Sequence, residues 1–370
     1  MRISVPTETA PHERRVALAP DSLARLAKGG LEIVVQRGAG ARAGFSDESY
    51  QKAGATLVDD AASALGGGGI VAKVQPPSPV EIARLEPGTT LISLMQPGRN
   101  AEIVAALAAR QVTALALELV PRITRAQSMD VLSSQATVAG YKAVLLGAAE
   151  LDKFMPMLTT AAGNVTPAKV FIIGAGVAGL MAIATARRLG AIVSAFDVRP
   201  AAKEQIESLG ATAVAADLVA ASAEAAGGYA RAQTEEEQAR TKAALAAHMK
   251  EMDLVITTAQ IPGKAAPRLV TADTVRSMRS GSVIVDLAAE SGGNCELTRA
   301  DETVHANGVT ILGPVNLAAS VPFHASQMFG RNVQTLLGIL VKEGRVDLSD
   351  EVVQAMLVTP AATPEPSAAS

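Results

Sequence analysis

Three glycines in the segment Gly174-Ala175-Gly176-Val177-Ala178-Gly179 have a spacing that lets a backbone approach a pyrophosphate. The segment follows an apolar run, Lys169–Ile173, and opens a helical pattern over Val177–Leu189. In this context the first glycine permits a tight turn, the second admits the pyrophosphate and the third allows close packing of helix and strand. The helix N-terminus also attracts an anion. We therefore predict that all six residues bind a dinucleotide; the alternative is a glycine turn in an ordinary α/β core.

A carboxylate follows the glycine segment at the spacing expected for a ribose ligand. Asp197 lies 18 residues after Gly179, at the end of the apolar run Ile192–Phe196. A carboxylate at this position accepts both ribose hydroxyls and repels a 2′-phosphate, which favours NAD over NADP. Arg199 is weaker evidence in the opposite direction, because an arginine can hold a 2′-phosphate. The predicted cofactor-binding residues here are Asp197, Val198 and Arg199.

Polar residues also follow two later strands of the same half. Thr258 and Ala259 follow one predicted strand, and Asp286 and Glu290 follow the next. Ligands of open α/β sheets bind outside the carboxyl ends of the strands. Thr258, Ala259 and Glu290 are therefore candidates for the nicotinamide ribose and its approach, whereas Asp286 is equally well explained as a cap of the following turn.

Residues for other chemistry are sparse. The four histidines are far apart in sequence and show no metal-ligand spacing, so we predict no metal site. The single cysteine, Cys295, has no partner for a disulfide or a CxxC motif. Oxidation of an alcohol or an amine needs a group that takes the substrate proton. Passing a hydride from one nicotinamide to another does not.

Apolar runs alternate with helical patterns along most of the chain, which predicts parallel sheets covered on both faces. The expected fold is α/β, with two Rossmann-like doubly wound domains and a cleft between them. The first five predicted strands are Arg2–Val5, Leu31–Gln36, Ile70–Val74, Thr90–Leu94 and Val112–Leu117. The later ones are Val170–Ile173, Ile192–Phe196, Thr212–Ala215, Leu254–Thr257, Val283–Asp286 and Val309–Leu312.

Two long helices mark the expected domain boundaries. The first covers about Val131–Phe154, and the second, Ala319–Lys342, is expected to return to the first domain. We predict an N-terminal domain of residues 1–132 plus 318–358, a nucleotide-binding domain of residues 133–317, and a disordered tail of residues 359–370. The Ala-rich segment 217–232 is either a lid or a plain insertion.

Composition excludes several other classes. The chain has 370 residues and a net charge of −3, and only 2% of its residues are aromatic, which argues against nucleic-acid binding. No signal peptide is visible, and the uncharged stretch Val170–Ala186 is broken by glycines, so we expect no membrane span.

Several segments resemble the family of alanine dehydrogenases and proton-translocating nicotinamide nucleotide transhydrogenases. The run 121–135, PRITRAQSMDVLSSQ, is the most specific, and it resembles the transhydrogenase loop that closes over the NAD nicotinamide. Further matches are Val5-Pro6-Thr7-Glu8-Thr9, Glu13-Arg14-Arg15-Val16-Ala17-Leu18-Ala19-Pro20, Ala226-Gly227-Gly228-Tyr229-Ala230, Ile261-Pro262-Gly263-Lys264 and Val285-Asp286-Leu287-Ala288-Ala289-Glu290-Ser291-Gly292-Gly293-Asn294.

The resemblance implies roles for individual residues. Arg122 and Asp130 would orient the NAD(H) nicotinamide and its carboxamide, and Ser133 would hydrogen-bond the carboxamide. Gln127 would lie between the two nucleotides, and Tyr229 would close over bound NAD(H). On composition alone, the run 121–135 is equally typical of a polar segment that caps the following helix.

The resemblance implies the soluble NAD(H)-binding component of a Re/Si-specific, proton-translocating transhydrogenase. Hydride would pass directly between NAD(H) on this chain and NADP(H) on a partner domain, coupled to proton translocation by a membrane subunit. The chain would be a homodimer, cytoplasmic and peripheral to the inner (cytoplasmic) membrane. Alanine dehydrogenases use a histidine that would fall within Leu91–Gln96, and this segment has none. An amino-acid dehydrogenase and a non-catalytic NAD-sensing subunit remain the alternatives.

Overall fold

The computed structural model describes residues 1–214, 234–260 and 264–360. The chain forms two compact units, one of residues 1–135 together with the chain from Ala318 onward, the other of residues 136–317. The sequence prediction divided the chain after residues 132 and 317.

The first unit is built on a six-stranded sheet in which all strands are parallel, in the order β3-β2-β1-β4-β5-β6. Apart from β3 and the ends of β1 and β2, its strand residues are buried, as expected for a sheet with helices on both faces. The strands are β1 Arg2–Val5, β2 Glu32–Gln36, β3 Thr56–Val58, β4 Ile70–Ala72, β5 Thr90–Ser93 and β6 Thr113–Ala116.

Helices connect these strands. They are α1 Pro20–Lys28, α2 Asp47–Lys52, α3 Ala61–Leu65, α4 Pro79–Arg84 and α5 Ala101–Ala109, and α6 Val131–Glu150 begins in the first unit and continues into the second. The C-terminal part of the chain adds α11 Pro322–Leu340, a small hairpin of β16 Val341–Lys342 and β17 Arg345–Val346, and α12 Glu351–Met356.

The second unit has a seven-stranded sheet in the order β11-β10-β9-β12-β13-β15-β14. The pairs are parallel except that β14 runs antiparallel to β15. Its elements are a hairpin of β7 Leu158–Thr160 and β8 Gly163–Val165, β9 Lys169–Ile173, α7 Val177–Arg188, β10 Ile192–Phe196, α8 Ala202–Ser208, β11 Thr212–Ala213, α9 Glu235–Met249, β12 Leu254–Thr257, α10 Ala272–Ser277, β13 Val283–Asp286, β14 Thr303–Ala306 and β15 Val309–Leu312.

Both sheets have the Rossmann strand order, in which the third and second strands lie on one side of the first and the later strands lie on the other. The predicted α/β fold with two Rossmann-like sheets is therefore confirmed. In each sheet the order reverses beside the first strand, at β1 and β4 in the first unit and at β9 and β12 in the second. Ligands of such folds bind at this point of reversal.

Some element ends differ from the predictions. Helix α6 ends at Glu150 rather than near Phe154, and α11 begins at Pro322, after a 3₁₀ turn over Leu317–Ser320. Proline is favoured at a first helical position because its missing N–H needs no partner there. Thr359, placed in the tail by the sequence prediction, is buried and hydrogen-bonds the backbone on either side of Thr113. The predicted lid segment 217–232 lies outside the described residues.

Within the second unit, α6 packs closely against its neighbours because two of its positions are glycines. A Cβ on Gly140 would lie 2.1 Å from the carbonyl oxygen of Ala178 in α7, and a Cβ on Gly147 would lie 2.4 Å from the side chain of Leu254. Any larger residue at position 140 would therefore push against a helix backbone. Among the helices that the structure describes, none is long and apolar enough to cross a membrane.

Candidate functional site

The glycine turn after β9 has the geometry expected of a phosphate-binding turn. Gly174 has a φ of 99°, in the left-handed region that favours glycine. A Cβ on Gly176 would meet nothing within 4 Å, whereas a Cβ on Gly179 would lie 1.8 Å from the carbonyl oxygen of Gly174. The first glycine therefore makes the turn, the second leaves open space, and the third allows α7 to pack on the turn.

The N-terminus of α7 offers backbone donors to an anion. Gly176 is the N-cap of this helix, and no side chain caps it. The N–H groups of a first helical turn have no partner within the helix, and the helix dipole favours negative charge there. The turn and the helix end together fit a pyrophosphate, which supports the assignment of residues 174–179 to a dinucleotide.

Asp197, at the end of β10, is tied to this turn. One of its carboxylate oxygens accepts a 2.7 Å hydrogen bond from the N–H of Ala175. Arg199 binds the same carboxylate through its guanidinium, with Nε at 2.9 Å from one oxygen and Nη2 at 3.0 Å from the other. The predicted ribose ligand is thus positioned by the turn on one side and by Arg199 on the other.

A cavity of about 120 Å³ adjoins this carboxylate. It lies beside the ends of β10 and β11, where the adenosine half of a dinucleotide binds in Rossmann folds. The lining residues are Ala195, Asp197, Arg199, Pro200, Lys203, Ile206, Ala213 and Val214. Val198, also predicted to bind the cofactor, is partly exposed and is not among them.

Thr258 and Ala259 lie at the point of reversal and support the glycine turn. The Thr258 hydroxyl donates a 3.0 Å hydrogen bond to the carbonyl of Gly174. Ala259 exchanges two hydrogen bonds with the side chain of Asn294, which is fully buried. Asn294 is a positioning residue that the motif analysis did not single out, and the signal available in the sequence was its place after Gly292-Gly293.

Asp286 is a structural centre of the loops after β13. Its carboxylate is fully buried and accepts hydrogen bonds from four groups: the hydroxyls of Thr257 and Thr298 and the N–H groups of Ala288 and Cys295. The expectation that it caps the following turn is therefore the better of the two. Glu290 is exposed, and its carboxylate accepts the N–H of Asn316.

The point of reversal in the first sheet is filled by buried charges instead of a glycine turn. Lys73 follows β4, and its Nζ lies 2.8 Å from Glu81 and 3.3 Å from Glu8, which follows β1. Burial alone would lower the pKa of Lys73, but the two carboxylates outweigh it and raise that pKa. Burial raises the pKa of Glu8, with Lys73 acting in the opposite direction. The two sheets share a topology but not a phosphate-binding turn.

A second buried pair lies in the same unit. Arg15 donates to both carboxylate oxygens of Glu13, at 2.8 and 2.7 Å, and its Nη1 donates to Gln135 at 2.8 Å. Both members of the pair are at most 4% exposed. These donors of Arg15 are already engaged within the protein.

The residues predicted to act on the nicotinamide come together around one cavity. Arg122, Gln127, Asp130 and Ser133 line a cavity of about 370 Å³ with Pro121, all within the first unit. Asp130 accepts the N–H of Ser133 at 3.0 Å and its hydroxyl at 2.6 Å. The predicted capping of the following helix is therefore realised as well, and the same carboxylate faces the cavity.

The segment that carries these residues is anchored at several points. Ala126 and Met129 are buried, and the carbonyl of Ser128 accepts a 2.8 Å hydrogen bond from Asn332 in α11. The guanidinium of Arg125 donates to two carboxylates at the start of α12, those of Asp350 and Glu351, at 2.8–3.2 Å. The segment is therefore held to the rest of its unit on both sides of the cavity-lining residues.

Two groups of predicted residues are thus each brought together, one around the glycine turn and one around the cavity of residues 121–133. Tyr229 and the resemblance segments 226–230 and 261–263 lie outside the described residues. Within the described part of the chain, no three His, Cys, Asp or Glu side chains are arranged to hold a metal ion. Cys295 is buried, and burial raises the pKa of its thiol.

Comparison with known proteins agrees with this arrangement. Two family models match the chain, the N-terminal domain of alanine dehydrogenase/PNT over residues 4–139 and the C-terminal domain over residues 143–363. A curated relative, an NAD(P) transhydrogenase subunit alpha of Rhodospirillum rubrum, is 44% identical over 97% of this chain and 96% of its own.

Two solved structures are also similar over nearly their whole length. The transhydrogenase of Sinorhizobium meliloti has a TM-score of 0.89 and 45% identity, covering 97% of this chain and 98% of its own. An L-alanine dehydrogenase has a TM-score of 0.81 and 30% identity, covering 98% of both chains. The chain therefore belongs to the alanine dehydrogenase/PNT family.

Proposed function

We propose that this chain is the NAD(H)-binding component of a proton-translocating transhydrogenase. The observation that carries the proposal is the cavity lined by Arg122, Gln127, Asp130 and Ser133, since these polar side chains converge where the sequence departs from a generic Rossmann protein. Relatives named NAD(P) transhydrogenase subunit alpha, similar over nearly the whole chain, support it.

The second unit would hold the nucleotide. The N–H groups at the start of α7 would bind the pyrophosphate, and Asp197 would accept the adenosine ribose hydroxyls. A carboxylate there disfavours a 2′-phosphate, so NAD(H) is the proposed nucleotide on this chain and NADP(H) the one on a partner domain. Val198, Tyr229 and Glu290 complete the proposed set of nucleotide-binding residues.

The first unit would supply the groups that orient the reacting ring. Bound NAD(H) supplies the hydride chemistry, and this chain's residues position it. Arg122 and Asp130 would fix the nicotinamide and its carboxamide, and Gln127 would lie between the two nucleotides. The Ser133 hydroxyl already donates to Asp130, so towards the carboxamide Ser133 would act as an acceptor. Holding two rings at reacting distance accounts for a large part of the acceleration in such reactions.

The proposed partners follow from the same assignment. The chain would form a homodimer and associate with an NADP(H)-binding domain and a membrane subunit that translocates protons. It would lie on the cytoplasmic face of the inner (cytoplasmic) membrane. The hydride transfer would be Re/Si-specific and coupled to the proton movement in the membrane subunit.

An amino-acid dehydrogenase is less well supported by the first unit. The segment Leu91–Gln96 contains no histidine, and its Met95 is fully buried. The guanidinium of Arg15 is bound to Glu13 and Gln135, and the ammonium of Lys73 to Glu8 and Glu81. Both cations are engaged by groups of the protein itself rather than exposed for a substrate carboxylate.

The test mixes the full chain with the NADP(H)-binding domain of a transhydrogenase and follows reduction of an NAD analogue by NADPH. Transfer that requires both proteins is the expected result, and the absence of transfer would overturn the proposal. The same chain is incubated alone with NAD and L-alanine. Reduction of NAD in that sample would establish the amino-acid dehydrogenase, and NADH binding without either activity would favour an NAD-sensing subunit.

A further inference from the structure

The carboxylate of Asp197 has its acceptor positions filled by donors of the protein. One oxygen accepts the backbone N–H and the Nε–H of Arg199, both at 2.9 Å. The other accepts the N–H of Ala175 at 2.7 Å and the Nη2–H of Arg199 at 3.0 Å. An ionised carboxylate has about four lone-pair positions. The four donors therefore saturate the group to which a ribose would bind.

Arg199 is the component of this arrangement that can move. Ala175 belongs to the glycine turn, and its N–H is fixed by the backbone. The guanidinium of Arg199 is carried on a flexible side chain, although Nη2 also donates to the carbonyl of Ala175 at 3.1 Å. The side chains of Arg199 and Asp197 are 20% and 8% exposed, so this bidentate pair is stronger than a typical surface ion pair.

A ribose can hydrogen-bond Asp197 only if it replaces some of these donors. We propose that Arg199 is a displaceable latch on Asp197, meaning that its Nε and Nη2 bonds open when a nucleotide binds and re-form when the nucleotide leaves. This inference rests on the proposed function, in which Asp197 receives the adenosine ribose. The latch competes with the ribose, lowers the affinity for NADH and speeds its release.

The latch also sets the choice between nucleotides. With Arg199 in place, a displaced guanidinium is available beside the ribose to offset the charge of a 2′-phosphate. Without it, the carboxylate of Asp197 is uncompensated and repels that phosphate. Loss of Arg199 therefore tightens the binding of NADH and weakens the binding of NADPH, and these opposite signs separate a latch from a general defect of the site.

The experiment measures binding and release of NADH, NADPH and the reduced nicotinamide mononucleotide by the full-length chain. The variant Arg199→Gln removes the charge and the fork, and Arg199→Lys keeps the charge but loses the fork. For Arg199→Gln we expect NADH to dissociate roughly tenfold more slowly, the factor that one strong hydrogen bond supplies. The mononucleotide lacks the adenosine ribose, and its affinity stays unchanged.

The matched control is Lys153→Gln. It removes another partly buried ion pair, Lys153 with Asp253 at 2.9 Å, in the same unit. Asp253 also accepts the N–H of Lys169 at the start of β9, the end of the strand opposite the glycine turn. We expect this variant to alter NADH release by no more than roughly twofold, because distant sites act independently. Melting temperatures report whether each variant is folded.

The outcomes distinguish the latch from the function on which it rests. Slower NADH release and weaker NADPH binding in Arg199→Gln, with an intermediate effect in Arg199→Lys, would support the latch. Faster release, or a change no larger than that of Lys153→Gln, would overturn the latch alone while NADH binding by the unaltered chain stands. An unaltered chain that binds no NADH would overturn both.

Discussion

The hydroxyl of Ser133 donates a 2.6 Å hydrogen bond to the carboxylate of Asp130, and both residues line the same cavity. Asp130 also accepts the Ser133 N–H, the bond by which a side chain caps the start of a helix. Helix capping and a role in the site are therefore served by one arrangement. Since the cap holds the carboxylate still, Asp130 is presented to the cavity in a fixed orientation.

Replacement of Ser133 by alanine removes one of these two bonds while the N–H bond remains. Hydrogen bonds to a charged group contribute about 1.5–3 kcal/mol, so we expect hydride transfer to slow by roughly tenfold or more. Ser134→Ala is the control, because the Ser134 hydroxyl donates to the carbonyl of Val131 instead. Stopped-flow transfer rates of both variants decide the matter, and equal rates would contradict the role given to Ser133.

Gln127 is exposed and lines the same cavity, where we propose that it lies between the two nucleotides. The variant Gln127→Asn keeps the amide but shortens the side chain by one methylene group. A displacement of about 1 Å can cost a hundredfold in rate, whereas binding depends on the whole nucleotide, so transfer should slow far more than NADH affinity falls. Comparable losses in calorimetric affinity and in transfer rate would remove Gln127 from its bridging position.

Lys73 balances the buried carboxylates of Glu8 and Glu81, and the variant Lys73→Met would leave them without their cation. Breaking a buried ion pair costs about 3–5 kcal/mol of stability at neutral pH. Lys52→Met is the control, because Lys52 forms an exposed pair with Glu48 and should change the free energy of unfolding by less than about 0.5 kcal/mol.

The defect of Lys73→Met should also depend on pH. Burial raises the pKa of both Glu8 and Glu81, and Lys73 acts against this rise. Without Lys73 their folded pKa values lie above the unfolded value of about 4.3, so their protonated forms favour the fold. The defect is then smallest below that unfolded value and grows as the pH rises through the folded pKa. Urea unfolding across the acid range tests this, and a defect that shrinks with rising pH would be inconsistent with it.

Gly140 permits the close contact between α6 and α7 in the second unit. The variant Gly140→Ala places a Cβ 2.1 Å from the carbonyl oxygen of Ala178, which is backbone and cannot swing aside. Overpacking of this kind costs about 1–3 kcal/mol. Gly338→Ala is the matched control in α11, since a Cβ there meets nothing within 4 Å, and alanine should stabilise the helix by about 0.5–1 kcal/mol. Melting curves in which both variants shift in the same direction would refute the packing argument.

The buried strands were predictable because each is a continuous apolar run. Ile192–Phe196, Leu254–Thr257 and Val283–Asp286 have the predicted bounds, and their residues are buried apart from the first residue of β10. The two edge strands Thr56–Val58 and Thr303–Ala306 were missed, because their residues are partly exposed and show no apolar contrast with the flanking loops.

At the site, sequence spacing was sufficient where the functional groups are close in the chain. The glycine turn and the run 121–135 are local motifs, and the structure brings each group together. The pair of Glu8 and Lys73 is different, because 65 residues separate its members and only the sheet order makes them neighbours. Similarly, Asp197 was predictable as a ribose ligand, but its saturation by Arg199 depends on side-chain geometry that spacing does not encode.

The most direct measurement of the proposed function follows the transferred atom itself. NADPH labelled with deuterium at the transferred position is mixed with the NADP(H)-binding domain, the full chain and an NAD analogue in ordinary water. Direct transfer predicts that the reduced analogue carries the deuterium, as seen by mass spectrometry. A reduced analogue without deuterium, or no reduced analogue at all, would contradict the account.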